Sequence, residues 1–281
     1  MKLSALQSLL ESRHGRLLPL PPKLERLYGA LRMAGPSRSH VFSNFVSTLD
    51  GVVSLQVKGH EAGGDISGFN AEDRMVMGLL RSVADAIVVG SGTLDADRNH
   101  IWTAADICPQ LAGDYRRLRE AMKKPRTALN VVVSARGALD LRRPVFAGGK
   151  VEALIVTTPS GAKRLMKGKV PSSVQVRAIR RDVSEIPAAA ILEELDRVHC
   201  AQRVLVEGGP RLLGTFYKQR LLDEQFLSLA PQIAGRESGD RRLSLVMGKS
   251  FAPRDPLWGT LIDARRSAEL LFLRYRFRTG R

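Results

Sequence analysis

The segment Arg203-Val204-Leu205-Val206-Glu207-Gly208-Gly209-Pro210-Arg211-Leu212-Leu213-Gly214 joins a short apolar run to a pair of glycines and a proline. The run from Val204 to Val206 is typical of a strand that is buried on both faces of a sheet. The two glycines allow a sharp turn and leave no side chain in the way of a ligand, and Pro210 suits the first position of a helix. Because free N–H groups and the positive end of the helix dipole favour phosphate at such a start, the segment predicts a phosphate-binding turn. An ordinary strand-to-helix connection is the alternative.

Small or hydroxyl-bearing residues also follow three earlier apolar runs. These are Val41–Ser47 followed by Thr48-Leu49-Asp50-Gly51, Ala86-Ile87-Val88-Val89 followed by Gly90-Ser91-Gly92-Thr93, and Ala128–Val133 followed by Ser134. In a parallel sheet the carboxyl ends of the strands share one edge, where open α/β sheets bind ligands. Together with Glu207, these turns predict a nucleotide-sized crevice, and the alternative is that all of them are simple tight turns.

Strands and helices alternate along most of the chain. A helix is expected after Asn70, which is a favourable N-terminal cap, and another over Pro187–His199, which has apolar residues along one side. The alternation predicts an α/β fold with a mostly parallel central sheet and helices on both faces. The segments Leu261–Ala264 and Ala268–Phe277 predict a C-terminal antiparallel pair of strands.

The chain of 281 residues is long enough for one large domain. We expect residues 40–281 to form that single domain, and residues 1–39 to form a lead-in packed on its body with a short helix within Leu24–Met33. Cys108 and Cys200 are too few and too far apart for a disulfide framework. No apolar run approaches the ~18 residues of a membrane span, and no signal-peptide pattern is present. These features predict a cytoplasmic protein that does not enter a membrane.

The chain carries 44 Lys and Arg residues against 28 Asp and Glu residues, a formal net charge of +16. Such an excess favours anionic partners, which include nucleic acid and phosphorylated small molecules. The basic residues are scattered, aromatic residues make up only 5% of the chain, and no nucleic-acid-binding motif is present, which argues against nucleic acid. A phosphorylated substrate with a phosphorylated cofactor is the other candidate, and we expect most of the charge to lie on the solvated surface.

Spacing argues against several other kinds of site. Metal-ligand spacing is absent among the five histidines, which are His14, His40, His60, His100 and His199. Neither His60-Glu61 nor Cys108-Pro109 fits the zinc-deaminase signature, and the chain has no Gly-x-Ser-x-Gly nucleophile elbow. The segment Gly90-Ser91-Gly92 lacks the third glycine of a dinucleotide-binding fingerprint. We therefore expect no metal ion.

Several pieces, taken in order, carry a family likeness. They are Val46–Gly51, Leu80–Thr93, Val206–Thr215, Leu222-Asp223-Glu224 and Ala230-Pro231. Together they resemble the reductase domain of riboflavin biosynthesis, the C-terminal half of the bifunctional deaminase-reductase, over a region from about Val41 to Phe277. The resemblance implies a dihydrofolate-reductase-like fold. Because the zinc signature of the deaminase half is missing, the chain is similar to a stand-alone reductase.

The resemblance implies a homodimeric oxidoreductase that uses NADPH to reduce a ribosylamino-pyrimidine 5′-phosphate to its ribitylamino form. Hydride reaches the first ribose carbon. The resemblance assigns substrate contacts to Arg81, Ile101 and Glu207, and it makes Glu207 and Asp50 catalytic candidates, although Asp50 also suits a purely structural role in its turn. The residues implied in cofactor binding are Val46, Thr48, Gly90, Gly92, Thr93, Asp97, Ser134, Gly208, Gly209, Pro210, Arg211, Leu212, Gly214 and Thr215.

Departures from the family pattern concentrate on the substrate side. The segment Asp95–Thr103 lacks the usual substrate-binding basic residue, for which Arg98 and His100 are candidate replacements, and Gly64–Ser67 replaces a tryptophan-bearing loop. Arg211 stands where a small polar residue is usual. The open alternatives are a related reductase of dihydrofolate, a pterin or another carbonyl or imine, and a non-catalytic nucleotide- or nucleic-acid-binding protein.

Overall fold

A computed structural model describes residues 3–35, 39–199 and 201–280 of the chain. The strands are β1 Gln7–Leu10, β2 Arg16–Leu17, β3 Arg32–Met33, β4 His40–Ser47, β5 Val52–Ser54, β6 Ala86–Gly90, β7 Leu129–Ser134, β8 Ala153–Thr157, β9 Val174–Ala178, β10 Arg203–Val206, β11 Glu224–Leu229, β12 Leu243–Ser244, β13 Gly259–Ser267 and β14 Leu270–Phe277. The helices are α1 Pro22–Tyr28, α2 Gly64–Ser67, α3 Ala71–Val83, α4 Ser91–Ala96, α5 Ala104–Ile107, α6 Ala112–Ala121, α7 Pro144–Ala147, α8 Pro159–Leu165, α9 Ala188–His199 and α10 Pro210–Lys218. Cys108 is buried and free, and Cys200 lies outside the described residues.

Ten strands of the described chain form one sheet, in the order β1-β13-β14-β11-β4-β10-β6-β7-β8-β9. From β11 to β9 all neighbours pair in parallel, whereas β14, β13 and β1 are added antiparallel at one side. The predicted mostly parallel sheet and the C-terminal antiparallel pair are confirmed. Strand β13 is longer than the predicted Leu261–Ala264, and β14 begins two residues after the predicted Ala268, because their pairing runs from Gly259 opposite Phe277 to Ser267 opposite Leu270.

Helices cover both faces of the sheet, and the side chains of β6 illustrate this. Ile87 and Val89 belong to the core that includes α3, whereas Val88 on the same strand belongs to the core that includes α9 and α10. Successive side chains of a strand point to opposite faces. An apolar run without alternation therefore needs cover on both sides, and the predicted layers are confirmed.

Helix α3 is held at both ends by side chains. Asn70 accepts the N–H of Asp73 at 2.8 Å, as predicted for an N-terminal cap. At the other end, the guanidinium of Arg119 donates to the carbonyls of Ser82 and Ala84 at 3.0 and 2.8 Å, which satisfies carbonyls that the helix itself leaves unpaired. These contacts fix a helix that carries Asp73 in its first turn and Arg81 in its last.

Residues 3–33 contribute a strand and apolar side chains to the main body. Strand β1 pairs with β13 at the edge of the large sheet, and Leu24 is fully buried. The helix predicted within Leu24–Met33 ends sooner, at Tyr28, because Gly29 has a φ of 89°, a left-handed conformation that suits glycine after a helix. The chain then forms β3, which pairs with β2.

A buried arginine ties this N-terminal segment to the last strands. Arg265 is 1% exposed, and its guanidinium donates to both carboxylate oxygens of Asp263 at 2.9 and 3.1 Å. It also donates to the carbonyls of Tyr28 and Ala30, where α1 ends. Because a buried charge needs a partner, the fold depends on the Arg265–Asp263 pair and on the N-terminal carbonyls that complete its hydrogen bonds.

Arg265→Met is expected to lower the free energy of unfolding by about 3–5 kcal/mol, because Asp263 loses its charge partner in a buried site. Arg266→Gln, at the neighbouring half-exposed position, is the control and is expected to change stability by less than about 0.5 kcal/mol. Urea titrations followed by tryptophan fluorescence measure both variants. Equal losses in the two would show that the buried pair does not anchor the segment.

Candidate active site

Strand β10 ends earlier than its two neighbours, and this leaves a notch in one edge of the sheet. Its last residue, Val206, lies opposite Ser43 of β4, yet β4 continues to Ser47 and β6 continues to Gly90. At about 3.3 Å per residue, β4 extends roughly 13 Å beyond the end of β10. The turn Glu207–Pro210 forms the floor of the notch, and the turns after β4 and β6 lie at its sides.

The turn after β6 packs directly on the turn after β10. The N–H of Gly90 donates to the carbonyl of Gly208 at 3.2 Å. A Cβ at Gly208 would lie 2.4 Å from the Thr93 Oγ1, so only glycine allows this close approach. A Cβ at Gly92 would meet nothing within 4 Å. Open space therefore remains at Gly92, beside the floor of the notch.

Helix α10 begins at Pro210 without a side-chain cap. The N–H of Leu213 donates to the carbonyl of Gly209, whereas the N–H groups of Arg211 and Leu212 have no hydrogen-bond acceptor among the described residues. The Arg211 side chain is exposed beside them. This helix start can bind a phosphate, because it combines two free N–H groups, the positive end of the helix dipole and a guanidinium.

Arg81 and Glu207, which the sequence predicts as substrate contacts, form a buried ion pair with each other. The Nε of Arg81 donates to the two carboxylate oxygens of Glu207 at 3.1 and 2.9 Å, and its Nη2 lies 2.7 Å from Oε2. The side chains are 3% and 4% exposed, and Arg81 also donates to the carbonyl of Thr103. The two residues therefore act as one unit that joins α3 to the floor of the notch.

The segment after α4, which departs from the family pattern, is anchored on β7 by an amide. Asn130 accepts the N–H of Trp102 at 3.0 Å and donates to the Trp102 carbonyl at 3.1 Å. Ile101, a predicted substrate contact, is buried next to this anchor. Sequence reasoning missed Asn130, although a polar amide inside the apolar run Ala128–Val133 was a usable signal.

The structure separates the two candidates for a substrate-binding basic residue. The His100 ring nitrogen Nδ1 lies 3.3 Å from the Asp97 carboxylate, and this hydrogen bond lowers the pKa of Asp97. The His100 ring also packs edge-on against Trp102, with 5.0 Å between ring centroids. His100 is therefore engaged inside its own segment, whereas Arg98 is exposed.

Asp50, a catalytic candidate, holds a loop instead. Its carboxylate accepts the Thr48 hydroxyl at 2.5 Å and the N–H groups of Ala234 and Gly235 at 3.1 and 2.9 Å. These hydrogen bonds, that of Thr48 first, lower the pKa of Asp50 to about 2, so the group is ionised at neutral pH and has no proton to donate. Thr48 is fully buried, and its hydroxyl also accepts the N–H of Val52. The Thr48 hydroxyl is therefore engaged within its own turn.

The other predicted cofactor residues fall into two groups. Val46, Gly90 and Ser134 stand at the carboxyl ends of β4, β6 and β7, and the short stretches Gly92–Thr93 and Gly208–Arg211 form the turns of the notch. Within α10, the side chains of Leu212 and Thr215 are buried, and a Cβ at Gly214 would lie 3.1 Å from the Met247 carbonyl. The backbone N–H of Leu212 remains without an acceptor among the described residues.

Asp73 is a buried acid near the notch that the sequence predicts only as a helix-start residue. Asp73 is 4% exposed, and this burial raises its pKa. No local pattern distinguishes Asp73 from Glu72 beside it.

Three histidines, His40, His60 and His100, lie beside acids. His60 lies 2.8 Å from Asp65, and the buried His40 lies 3.7 and 3.4 Å from Asp223 and Glu224. No group of three or more His, Cys, Asp or Glu residues in the described ranges could hold a metal ion. None of the helices in the described ranges is long and apolar enough to cross a membrane.

Comparison with known proteins places most of the chain in one family. The family model described as "RibD C-terminal domain" matches residues 39–248, which is well over half of the chain. A protein of Archaeoglobus fulgidus named 2,5-diamino-6-ribosylamino-4(3H)-pyrimidinone 5′-phosphate reductase is 28% identical over 202 residues, which cover 72% of this chain and 84% of that protein.

Two further relatives differ in how they match the chain. The riboflavin biosynthesis protein RibD of Chlamydia muridarum is 28% identical over 170 residues, or 60% of this chain and 41% of that protein, so the chain spans less than half of its length. A crystal structure of a pyrimidine reductase-like protein from Corynebacterium diphtheriae superposes with a TM-score of 0.68 at 18% identity, and covers 92% of this chain and 99% of that one. At that identity the structural match establishes the shared fold.

Gly208→Ala is expected to lower the free energy of unfolding by about 1–3 kcal/mol, because its methyl group would meet Thr93 in a packed turn. Gly92→Ala is the matched control. It places the same methyl group in open space on a helix, and is expected to leave stability unchanged or to raise it by up to about 1 kcal/mol. Denaturant titration measures both variants, and a Gly208→Ala protein as stable as Gly92→Ala would contradict the close packing of the two turns.

Proposed function

The chain belongs to the RibD C-terminal domain family, and on that basis we propose that it is a reductase of the riboflavin-biosynthesis type. In the proposed reaction, a hydride from NADPH reaches the first ribose carbon of a ribosylamino-pyrimidine 5′-phosphate and yields the ribitylamino product. The name of the archaeal relative, a reductase of such a 5′-phosphate, supports this substrate class. The net charge of +16 suits a pair of phosphorylated ligands.

The observation that carries the proposal is the position of the Arg81–Glu207 pair beside the start of α10. Glu207 directly follows β10, and the free N–H groups of Arg211 and Leu212 follow within the same turn. One notch therefore combines a phosphate-binding helix start with a buried pair of charges. This combination suits a ligand that carries phosphate at one end and a reacting group at the other.

The residues of the notch fit a dinucleotide such as NADPH. The diphosphate of NADPH would be held by the backbone N–H groups of Arg211 and Leu212 and by the Arg211 guanidinium. The open space at Gly92 leaves room for it beside the Gly208 turn, and Thr93 and Ser134 would extend the contacts towards β7. When bound, the cofactor supplies the hydride. The protein contributes orientation, because a reacting pair held at the right distance and angle needs much less activation free energy.

The Arg81–Glu207 pair would hold the substrate side of the notch. A bidentate pair keeps both side chains in one geometry, and the Thr103 carbonyl that Arg81 also binds links the pair to the segment after α4. We propose that the pair orients the ribosylamino group towards the cofactor. The unengaged Arg98 is then the residue that completes the binding of the substrate phosphate.

Two broader features belong to the same proposal. The family resemblance predicts a homodimer in the cytoplasm. Sedimentation equilibrium of the full chain, at protein concentrations from micromolar to tens of micromolar, measures whether it forms the dimer. A single species of 30.9 kDa at all concentrations would contradict the dimer.

Purified protein is expected to bind NADPH more tightly than NADH and to oxidise it when given a ribosylamino-pyrimidine 5′-phosphate. The cofactor step is measured by quenching of protein fluorescence, and turnover by the loss of reduced-nicotinamide absorbance. A panel of pyrimidine phosphates, dihydrofolate and pterins serves to identify the substrate. Absence of NADPH binding at millimolar concentration would overturn the proposed function, and turnover only with dihydrofolate or a pterin would overturn the substrate class.

Glu207→Gln is expected to lower turnover by about 100-fold, because loss of the ion pair misplaces the groups that orient the substrate. NADPH affinity should stay close to wild type, since α10 is unchanged. The single variant also leaves Arg81 buried without a charge partner, which costs about 3–5 kcal/mol of stability.

The double variant Arg81→Met/Glu207→Leu separates these two effects. Replacing the whole pair with apolar residues is expected to recover most of the stability, since neither charge is left alone, but not the turnover. Recovery of turnover along with stability would show that the pair serves only the fold.

A further inference from the structure

The segment after α4, which departs from the family pattern, is held by side chains of three other elements. Asn130 on β7 binds both the N–H and the carbonyl of Trp102, and Arg81 on α3 donates to the Thr103 carbonyl. These two contacts hold the end of the segment. Its beginning is held by Arg143, which lies in the connection between β7 and α7.

Arg143 ties the last turn of α4 to the connection that follows β7. Its Nη1 donates to the carbonyl of Leu94, and its Nη2 donates to the carboxylate of Asp95 at 2.7 Å. The Arg143 side chain is 12% exposed, and the Leu94 side chain is buried in the core. Because a planar guanidinium binds its two partners in a fixed fork, the point at which the segment leaves α4 is set from outside the segment.

The backbone of Arg143 is itself held in place, because it caps the start of α7. Its carbonyl accepts the N–H groups of Phe146 and Ala147, both at 2.9 Å. Val145 and Phe146 of this helix are buried in the core. The guanidinium that holds α4 therefore extends from a fixed backbone position.

Arg98 is the group whose position depends on this anchor. The chain turns directly after α4, at Arg98, and the N–H of His100 donates to the Asp97 carbonyl at 3.4 Å. Contacts inside the turn set its shape, whereas its place on the protein is set by the anchor at Trp102 on one side and by Arg143 on the other. The Arg98 side chain is exposed, so a change in the direction of the turn displaces its guanidinium.

We propose, on the basis of the proposed reductase function, that Arg143 is a positioning residue for the binding of the substrate phosphate. Arg143 does not touch the substrate. By holding the end of α4, it keeps the turn in the orientation in which the Arg98 guanidinium meets the phosphate. A binding group that is ordered before the ligand arrives loses less entropy on binding, so the contribution of Arg143 lies in substrate affinity. The start of α4 packs on the Gly208 turn through Thr93, which leaves the cofactor side of the notch independent of Arg143.

Arg143→Gln tests the proposal, with Arg142→Gln as the matched control. Arg142 is the neighbouring residue, its side chain is 91% exposed, and its guanidinium binds Asp140. Arg143→Gln is expected to raise the KM of the phosphorylated substrate about 10-fold, the effect of losing one hydrogen bond to a charged group. Its kcat and its NADPH affinity should stay close to wild type, and Arg142→Gln should match the wild type throughout. Arg143→Lys should recover part of the substrate affinity, because lysine keeps the charge but lacks the fork.

A double variant separates positioning of Arg98 from general support of the fold. In an Arg98→Gln background, Arg143→Gln is expected to raise KM no further, because the group that Arg143 positions is already missing. Additive rises in KM would overturn the proposal, since they would show that Arg143 acts on the site by another route.

A readout that does not depend on turnover follows from the place of Arg98 in the turn. Trypsin cleaves after arginine, and cleavage within a folded protein follows the local opening of the cleaved segment. Arg143→Gln is expected to be cleaved after Arg98 about 10-fold faster than the wild type and Arg142→Gln, as the closed state has lost one hydrogen bond to a charged group. Mass spectrometry of the fragment that ends at Arg98 measures the rate, and an unchanged rate would overturn the proposal.

The kinetic outcomes distinguish this proposal from the reductase function. If the wild type turns over and Arg143→Gln has the KM of Arg142→Gln, the role of Arg143 fails while the reductase function stands. If the wild type turns over no substrate of the panel, both proposals fail together. Should Arg143→Gln not fold, Asp95→Ala removes the exposed partner and leaves the arginine in place, and an unchanged KM in that variant would overturn the proposal.

Discussion

The early end of β10 between two longer parallel strands is the constraint on which the site depends. Hydrogen-bonded ladders on both sides hold β10 in register with β4 and β6, so the chain must leave the sheet at Val206, below the ends of its neighbours. The turn that follows has little room. The backbone of Gly208 approaches Gly90 and Thr93 too closely for any side chain. The same crowding brings the start of α10 to the floor of the notch, where the N–H groups of Arg211 and Leu212 have no acceptor among the described residues.

Buried charges are the second organising feature. The chain carries an excess of basic residues, and three carboxylates with buried side chains take arginine partners: Glu207 with Arg81, Asp263 with Arg265 and Glu224 with Arg274. Pairing of this kind offsets the cost of removing each charge from water. Asp73 differs, because its burial raises its pKa.

Helix α3 connects these features. Its N-terminal cap at Asn70 and the guanidinium of Arg119 at its other end hold Asp73 and Arg81 at opposite ends of one rigid element. Arg81 reaches the floor of the notch and the segment after α4. One helix therefore positions the buried ion pair at the site from a rigid element.

Apolar runs, helix caps and turn residues act over a few neighbouring positions, so the layers, the strand ends and the glycine turns follow from the sequence alone. A family likeness also identified Arg81 and Glu207. The tertiary structure was needed to show that these two residues bind each other, that Asp50 and Thr48 hold a loop, and that Asn130 anchors Trp102. It also decided that Asp73 is buried while Glu72 contacts the N-terminal segment. Each of these outcomes depends on a partner distant in the chain or on the direction of one side chain, and local pattern carries no information about either.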